Sequence, residues 1–274
     1  MKRILALLLA LLMLVFTLVA CSDEEGEGED DGNNMAVAVT DNYYKPDANN
    51  SDGFSYERVN GDEARITGFT GAVTPHAVSI PAVIKIKSEE GDADIELPVT
   101  QIADEAFRSK TNISGITVPA GVTEIGSFAF AGCSALKAII LPDSLVKIGT
   151  AAFAESGLTA VSVPAGVTEI GLAVFYNCSA LKTASLPAGI KAIPAQAFMG
   201  CSVLDDITWS NGLESIGAHA FNGCAALANV TFPQTLESIG DYAFANCNTG
   251  LTARPAAGVE VGRNVFFPVD VDED

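Results

Sequence analysis

Residues 122–142 read VTEIGSFAFAGCSALKAIILP, and residues 167–187 read VTEIGLAVFYNCSALKTASLP. A near-copy inside one chain points to repeat architecture, so the period is sought before any single element is assigned. A phenylalanine recurs at Phe107, Phe130, Phe153, Phe175, Phe198, Phe221, Phe244 and Phe266, at intervals of 23, 23, 22, 23, 23, 23 and 22 residues. Five residues before each stands Ile102, Ile125, Ile148, Ile170, Ile193, Ile216, Ile239 or Val261. Four before it comes glycine at Gly126, Gly149, Gly171, Gly217, Gly240 and Gly262, with Ala103 and Pro194 as the exceptions.

Downstream of the phenylalanine each unit carries a short alternating run that ends near a proline, as in LKAIILP (136–142), LTAVSVP (158–164), LKTASLP (181–187) and LANVTFP (227–233). Alternation at period two predicts a strand with one buried face, closed by the proline. Ile139 and Leu141, Val161 and Val163, Ile207 and Trp209, and Val230 and Phe232 are expected to point inward. The outward set is then Ala138, Ile140, Ala160, Ser162, Thr183, Ser185, Asp206, Thr208, Asn229 and Thr231, the candidate ligand face. One unit cannot bury its apolar face alone, but stacked units share a continuous core, strand beside strand at roughly 4.8 Å. The periodicity therefore predicts a solenoid.

The unit C-x-x-L-x-x-I-x-L-P-x-x-L-x-x-I-G-x-x-A-F, written from Cys133 to Phe153, resembles the 23-residue leucine-rich repeat of BspA-like bacterial surface proteins. The resemblance covers about 65–266. It implies an α/β-class solenoid dominated by short parallel strands, right-handed, with about eight coils of 22–23 residues. YERVNGDEARITGFTG (56–71) and VSIPAVI (78–84) are similar to the irregular repeat that caps such arrays. The family is associated with adhesion at the cell surface, to host proteins or to other bacteria.

The N-terminus reads as an export signal. Lys2 and Arg3 precede an uncharged run from Ile4 to Ala20, short for a membrane-spanning helix. Leu18, Val19, Ala20 and Cys21 resemble the lipobox of bacterial lipoproteins, which implies cleavage before Cys21 and acylation of that residue; an ordinary secretory signal is the alternative. SDEEGEGEDDGNN follows, with nothing apolar to bury, and reads as an extended charged tether. Its acidic start resembles the surface-export signal of Bacteroides-type lipoproteins, and a periplasmic spacer is the plainer reading. The expected organisation is 1–20 signal peptide, 21–35 tether, 36–98 N-terminal segment and capping repeat, 99–268 repeat array, and 269–274 acidic tail.

The charge narrows the partners. Fifteen Lys and Arg stand against 34 Asp and Glu in 274 residues, a formal charge of −19. Loss of Lys2 and Arg3 with the signal leaves 13 basic residues and −21. Nucleic acid would be repelled, so it is not an expected partner. Membrane contact is expected only through the lipid on Cys21.

Cys133, Cys178, Cys201, Cys224 and Cys247 all lie three residues after the repeat phenylalanine, and Ser156 takes that place in the short unit. A disulfide framework is one reading in an exported chain. Residues of one ladder point the same way and serine replaces one of them, so buried free thiols are expected instead. His76 and His219 are far apart and no C-x-x-C pair occurs, so no metal is expected. No G-x-S-x-G, phosphate-binding glycine loop or H-E-x-x-H occurs, and Glu124 and Glu169 are replaced by Lys147, Ala192, Ser215 and Ser238 in other units. Neither an enzyme nor a cofactor is expected.

The expected function is that of a cell-surface anchored repeat protein mediating protein–protein interaction or adhesion to host or bacterial surfaces, on an outer-membrane lipoprotein exposed outside the cell. The partner would be a host matrix or bacterial surface protein, or a glycan. The alternatives are a glycan-capture accessory lipoprotein, which needs exposed aromatics, and a coat protein without a dedicated ligand. The outward strand face lacks the Tyr, Trp and Arg anchors of strong interfaces. Recognition is therefore either broad and weak there, or carried by loops and by 36–64 with Tyr43, Tyr44 and Tyr56.

Overall fold

The computed structural model describes residues 53–71, 76–87, 94–248, 250–251 and 253–266. The signal, Cys21, the tether, Tyr43, Tyr44 and the acidic tail lie outside the described residues. The described chain is a stack of coils, each making one circuit of the core and most contributing two short strands. Strands Glu124–Ile125, Lys147–Ile148 and Glu169–Ile170 pair in parallel in one ladder, continued by Ala192–Ile193, Ser215–Ile216, Ser238–Ile239 and Glu260–Val261. The second ladder runs His76–Ser79, Ile113–Thr117 and Ala138–Ile140, then Ala160–Ser162, Thr183–Ser185 and Asp206–Thr208.

The expected solenoid of parallel strands is present, and among the described residues it contains no helix. Where an α/β coil would carry one, each coil runs through a turn centred on the repeat phenylalanine. The residue two before it has a left-handed backbone: Glu105, Phe128, Ala151, Ala173, Gln196, His219, Tyr242 and Asn264, with φ between 49° and 61°. The residue two after it does the same at Ser109, Gly132, Glu155, Asn177, Gly200, Gly223 and Asn246. For a residue with a Cβ this costs about 1–2 kcal/mol and is incompatible with a right-handed helix. Coil-to-coil hydrogen bonding offsets the cost. Phe128, Phe130 and Gly132 donate their N–H groups to Thr150, Ala152 and Ala154 of the next coil at 2.7–2.8 Å, and the pattern repeats along the stack. The turn is therefore a third hydrogen-bonded ladder.

The core is a column of phenyl rings. Successive rings from Phe107 to Phe266 stack with centroids 5.0–5.7 Å apart and interplanar angles of 2–21°. Phe107 through Phe244 are fully buried, whereas Phe266 is half-buried. The glycines of the I-G pair explain the tight pitch. A Cβ on Gly149 would stand 2.5 Å from the Ser127 backbone nitrogen. Each of these glycines also donates its N–H to the isoleucine carbonyl of the preceding coil, as Gly149 does to Ile125 at 2.8 Å. Pro194 has no N–H to give the Ile170 carbonyl, and the first ladder is interrupted between Glu169–Ile170 and Ala192–Ile193. The second ladder breaks after Ala138–Ile140, at the short unit, whose strand starts seven rather than eight residues after its phenylalanine.

The N-terminal end is closed by antiparallel pairing. Phe54–Val59 and Glu63–Phe69 form a hairpin whose Asn60-Gly61 turn has both residues at positive φ, 52° and 84°, the geometry that suits hairpin twist. Glu63–Phe69 then pairs in parallel with Asp94–Ile102, whose first half also pairs antiparallel with Val83–Lys87. Phe69 extends the phenyl column, 6.0 Å from Phe107. Tyr56 is buried in this hairpin, 7% exposed, so it supports the cap and is not a recognition side chain.

Because each coil is held by its two neighbours, Phe175→Ala is expected to cost about 3–5 kcal/mol, and Phe266→Ala distinctly less because its ring is already half in solvent. Urea unfolding of the two variants checks this. Equal losses would contradict it.

Candidate functional site

The strand that follows each cysteine turn places the outward set. Register brings Ala160, Thr183 and Asp206 side by side, and likewise Ser162, Ser185 and Thr208. All six are solvent-exposed except Thr183, which is half-buried. Ala138 and Ile140 lie on the other sheet beside Gly115 and Thr117, and Ile140 is 63% exposed. Asn229 and Thr231 are exposed but belong to no strand, because the ladder ends at Asp206–Thr208. Of the inward set, Val161 and Val163 are buried, while Ile139, Leu141, Ile207, Val230 and Phe232 are half-buried against the core.

Trp209 also packs against the core from its inward position. It is half-buried, tilted on Phe221 at 5.9 Å and stacked on Phe232 at 6.4 Å. Where neighbouring strands of this ladder pair, the backbone N–H at this position reaches the next coil, as Val163 does to the Ser185 carbonyl at 2.9 Å and Leu186 to Thr208 at 2.8 Å. Here the equivalent carbonyl, that of Thr231, accepts from the Trp209 indole Nε1 at 3.1 Å. A cleft of about 760 Å³ opens beside it, between the 206–211 and 229–235 runs. A shallower depression of about 560 Å³ lies over the first ladder, where Ser215 and Ser238 replace charged residues.

The cysteine ladder is structural chemistry. Cys133 Sγ donates to the Phe107 carbonyl at 3.0 Å, Cys178 to Phe153 at 3.0 Å, Cys201 to Phe175 at 3.1 Å, Cys224 to Phe198 and Cys247 to Phe221 at 3.2 Å. All five are free thiols, four buried and Cys247 half-buried. The position takes a small side chain that can hydrogen-bond, and Ser156 holds it in the short unit, its hydroxyl 3.3 Å from Cys178 Sγ. Burial pushes the Cys133 and Cys178 thiols up to about 11 and Cys247 to about 12, and raises Cys201 and Cys224 by the same cause. Such thiols are poor nucleophiles.

Sequence reasoning missed the outer side of the turn. Ala131, Ala151, Ala154 and Ala173 form a second small apolar cluster there, flanked by half-buried Phe128 and Tyr176. Further along, His219 stacks on Tyr242 at 5.1 Å and its Nδ1 lies 3.0 Å from Asn222 Nδ2. Burial lowers the His219 pKa, against a smaller opposing pull from Asp241. The signal was present in the sequence as aromatics two before or one after the repeat phenylalanine, but only the left-handed backbone shows that these positions share a face. Cross-coil ion pairs line the exposed positions beside the first ladder: Lys147–Glu124 at 2.8 Å, Lys191–Glu214 at 2.7 Å and Arg263–Asp241 at 2.6 Å. Among the described residues no cluster of three or more His, Cys, Asp or Glu could hold a metal, and no helix is long and apolar enough to cross a membrane.

A family model described as the BspA type leucine rich repeat region matches residues 100–205 and 191–267, in six copies. A leucine-rich repeat protein from Bacteroides ovatus is similar at 29% identity and a TM-score of 0.60, over 78% of this chain and 61% of that one. The T. pallidum leucine rich repeat protein is similar at 28% identity and a TM-score of 0.63, over 76% of this chain and 91% of that one. A leucine-rich repeat protein from Eubacterium ventriosum, 23% identical over 62% of this chain and 56% of that one with a TM-score of 0.52, shares the fold. No curated protein matches.

The raised thiol pKa values fix a pH dependence. As pH rises above the ordinary thiol value of 9.0, the unfolded chain loses these protons first, so stability is complete below that value and falls as pH passes through about 11. Cys133→Ser keeps a donor for the Phe107 carbonyl and removes one such group, so its unfolding midpoint should fall less between pH 9 and 11 than that of the wild type. An equal fall would contradict the assignment.

Proposed function

The chain belongs to the BspA-type leucine-rich repeat family, and on that premise we propose that it is a non-enzymatic surface scaffold, anchored by lipid on Cys21 to an outer membrane and mediating protein–protein interaction or adhesion to host or bacterial surfaces. The observation that supports this most is the register of small, mostly exposed residues over successive coils, Ala160, half-buried Thr183 and Asp206 beside Ser162, Ser185 and Thr208. A rigid core under a repeated outer face presents an extended surface, the property by which solenoids hold macromolecules. Lipobox and acidic tether supply the reading of location. Glycan capture is the second reading, favoured by the partial exposure of Trp209 beside a cleft.

Protease added to intact cells should remove the repeat domain, and Cys21→Ala should release it or leave it unprocessed; a domain shielded from protease would sink the surface reading. Asp206→Lys with Thr208→Lys should abolish attachment of cells to immobilised matrix protein or partner bacteria, with the melting temperature nearly unchanged because both side chains are exposed. Undiminished attachment would remove the strand face from the reading.

A further inference from the structure

We propose that the cleft beside Trp209 is a binding site for a neutral hexose oligosaccharide. This deepens the glycan reading above and names its site. The cleft lies where two successive coils carry an aromatic in place of an aliphatic residue at the end of the strand run, Trp209 and then Phe232. Trp209 stands where other coils have Val163 or Leu186, and Ser210 where they have Pro164 or Pro187. The indole takes the Thr231 carbonyl that a backbone N–H takes where neighbouring strands pair, and the parallel ladder stops at Asp206–Thr208. The two coils separate into a cleft of about 760 Å³, within the range of small-ligand sites.

Its lining determines the chemistry. Two half-buried rings, Trp209 and Phe232, supply an apolar wall of the kind on which the C–H face of a pyranose packs. Around them stand the amides of Asn211, Asn229 and Gln234 and the carboxylate of Asp206, all exposed. Amides donate and accept, and a carboxylate accepts, which suits neighbouring hydroxyls that do both. Lys and Arg are absent from the lining, so an anionic sugar, a phosphate or a nucleotide would find no counter-charge there and would meet a chain of net charge −19. The rival ligand is a cationic peptide drawn to Asp206, and one carboxylate among three neutral amides favours the saccharide.

Trp209 is the only tryptophan of the chain, so its fluorescence reports this cleft alone. The purified full chain is titrated separately with maltotriose, cellotriose, mannotriose and trilysine, to about 10 mM, ten times the dissociation constant of a weak millimolar site. At least one trisaccharide should give a saturable change in emission and protect the indole from acrylamide quenching, while trilysine gives neither. Asn229→Ala with Gln234→Ala, which keeps Trp209, Asp206 and Thr208, should abolish the saccharide response with the urea unfolding midpoint unchanged. No saturable response to any trisaccharide, a response to trilysine alone, or a saccharide response undiminished in the double variant would each overturn the site. Should the double variant unfold, the wild-type titrations and acrylamide protection still decide. Cell attachment by the same double variant separates the two readings: attachment retained while saccharide binding is lost leaves the scaffold function standing on another face, whereas absent saccharide binding in the wild type sinks the cleft alone.

Discussion

Every coil of this protein is completed by the coil beside it. The phenyl column is the plainest form of that dependence: each ring from Phe130 to Phe244 is sandwiched between two others, at 5.0–5.7 Å. The same spacing sets the other ladders. Glycine after isoleucine lets one backbone pass against the next, and a Cβ at Gly126 would meet the Asp104 nitrogen at 2.5 Å. Cysteine three after the phenylalanine then supplies a small donor to a carbonyl of the preceding coil, as Cys133 does to Phe107, and Ser156 in the same place meets the Cys178 sulfur instead. A Cβ at most of these glycines would clash with the backbone of the preceding coil, and Pro194, which stands at one such place, coincides with the interruption of the first ladder.

The period and the phenylalanine column were legible because they are written eight times, and the strand alternation and the thiol ladder because they recur at a fixed distance from that phenylalanine, the thiol in five coils. The absence of helix was not. It depends on the left-handed residues two before the phenylalanine, which include Glu105, Phe128, Ala151 and Tyr242 and contain no glycine to announce them. The equivalent site two after it is Gly or Asn in five coils, a hint that sequence reasoning passed over. Pro194 was visible as an exception to glycine, but its consequence, an interrupted ladder, follows only from knowing that this N–H bonds to the preceding coil. Trp209 fitted the inward alternation and is half-buried against the core, as Ile139, Leu141 and Ile207 are, but its indole also takes the Thr231 carbonyl. The local departure from the repeat was the signal.

The outer surfaces are free of the stacking constraint, and they divide by character. The second ladder presents small polar residues, the first carries cross-coil ion pairs such as Lys147–Glu124, and the turn side carries Tyr176, His219 and Tyr242. Most of the half-buried aromatic side chains outside the phenyl column and the caps thus lie on the turn side, away from the outward positions of the strand face. Exposed ion pairs of this kind contribute about 0–1 kcal/mol each, so the ladders of charge are better viewed as solubilising than as holding the stack.

Native-state hydrogen exchange tests the account of a stack held by neighbours. Amides of the turn ladder should be best protected around Phe153, Phe175 and Phe198, with protection falling steadily toward Phe266, and the 229–231 run should exchange faster than the paired Thr183–Ser185 strand of the second ladder. Uniform protection from Phe107 to Phe266, or protection rising toward the C-terminal coil, would contradict it.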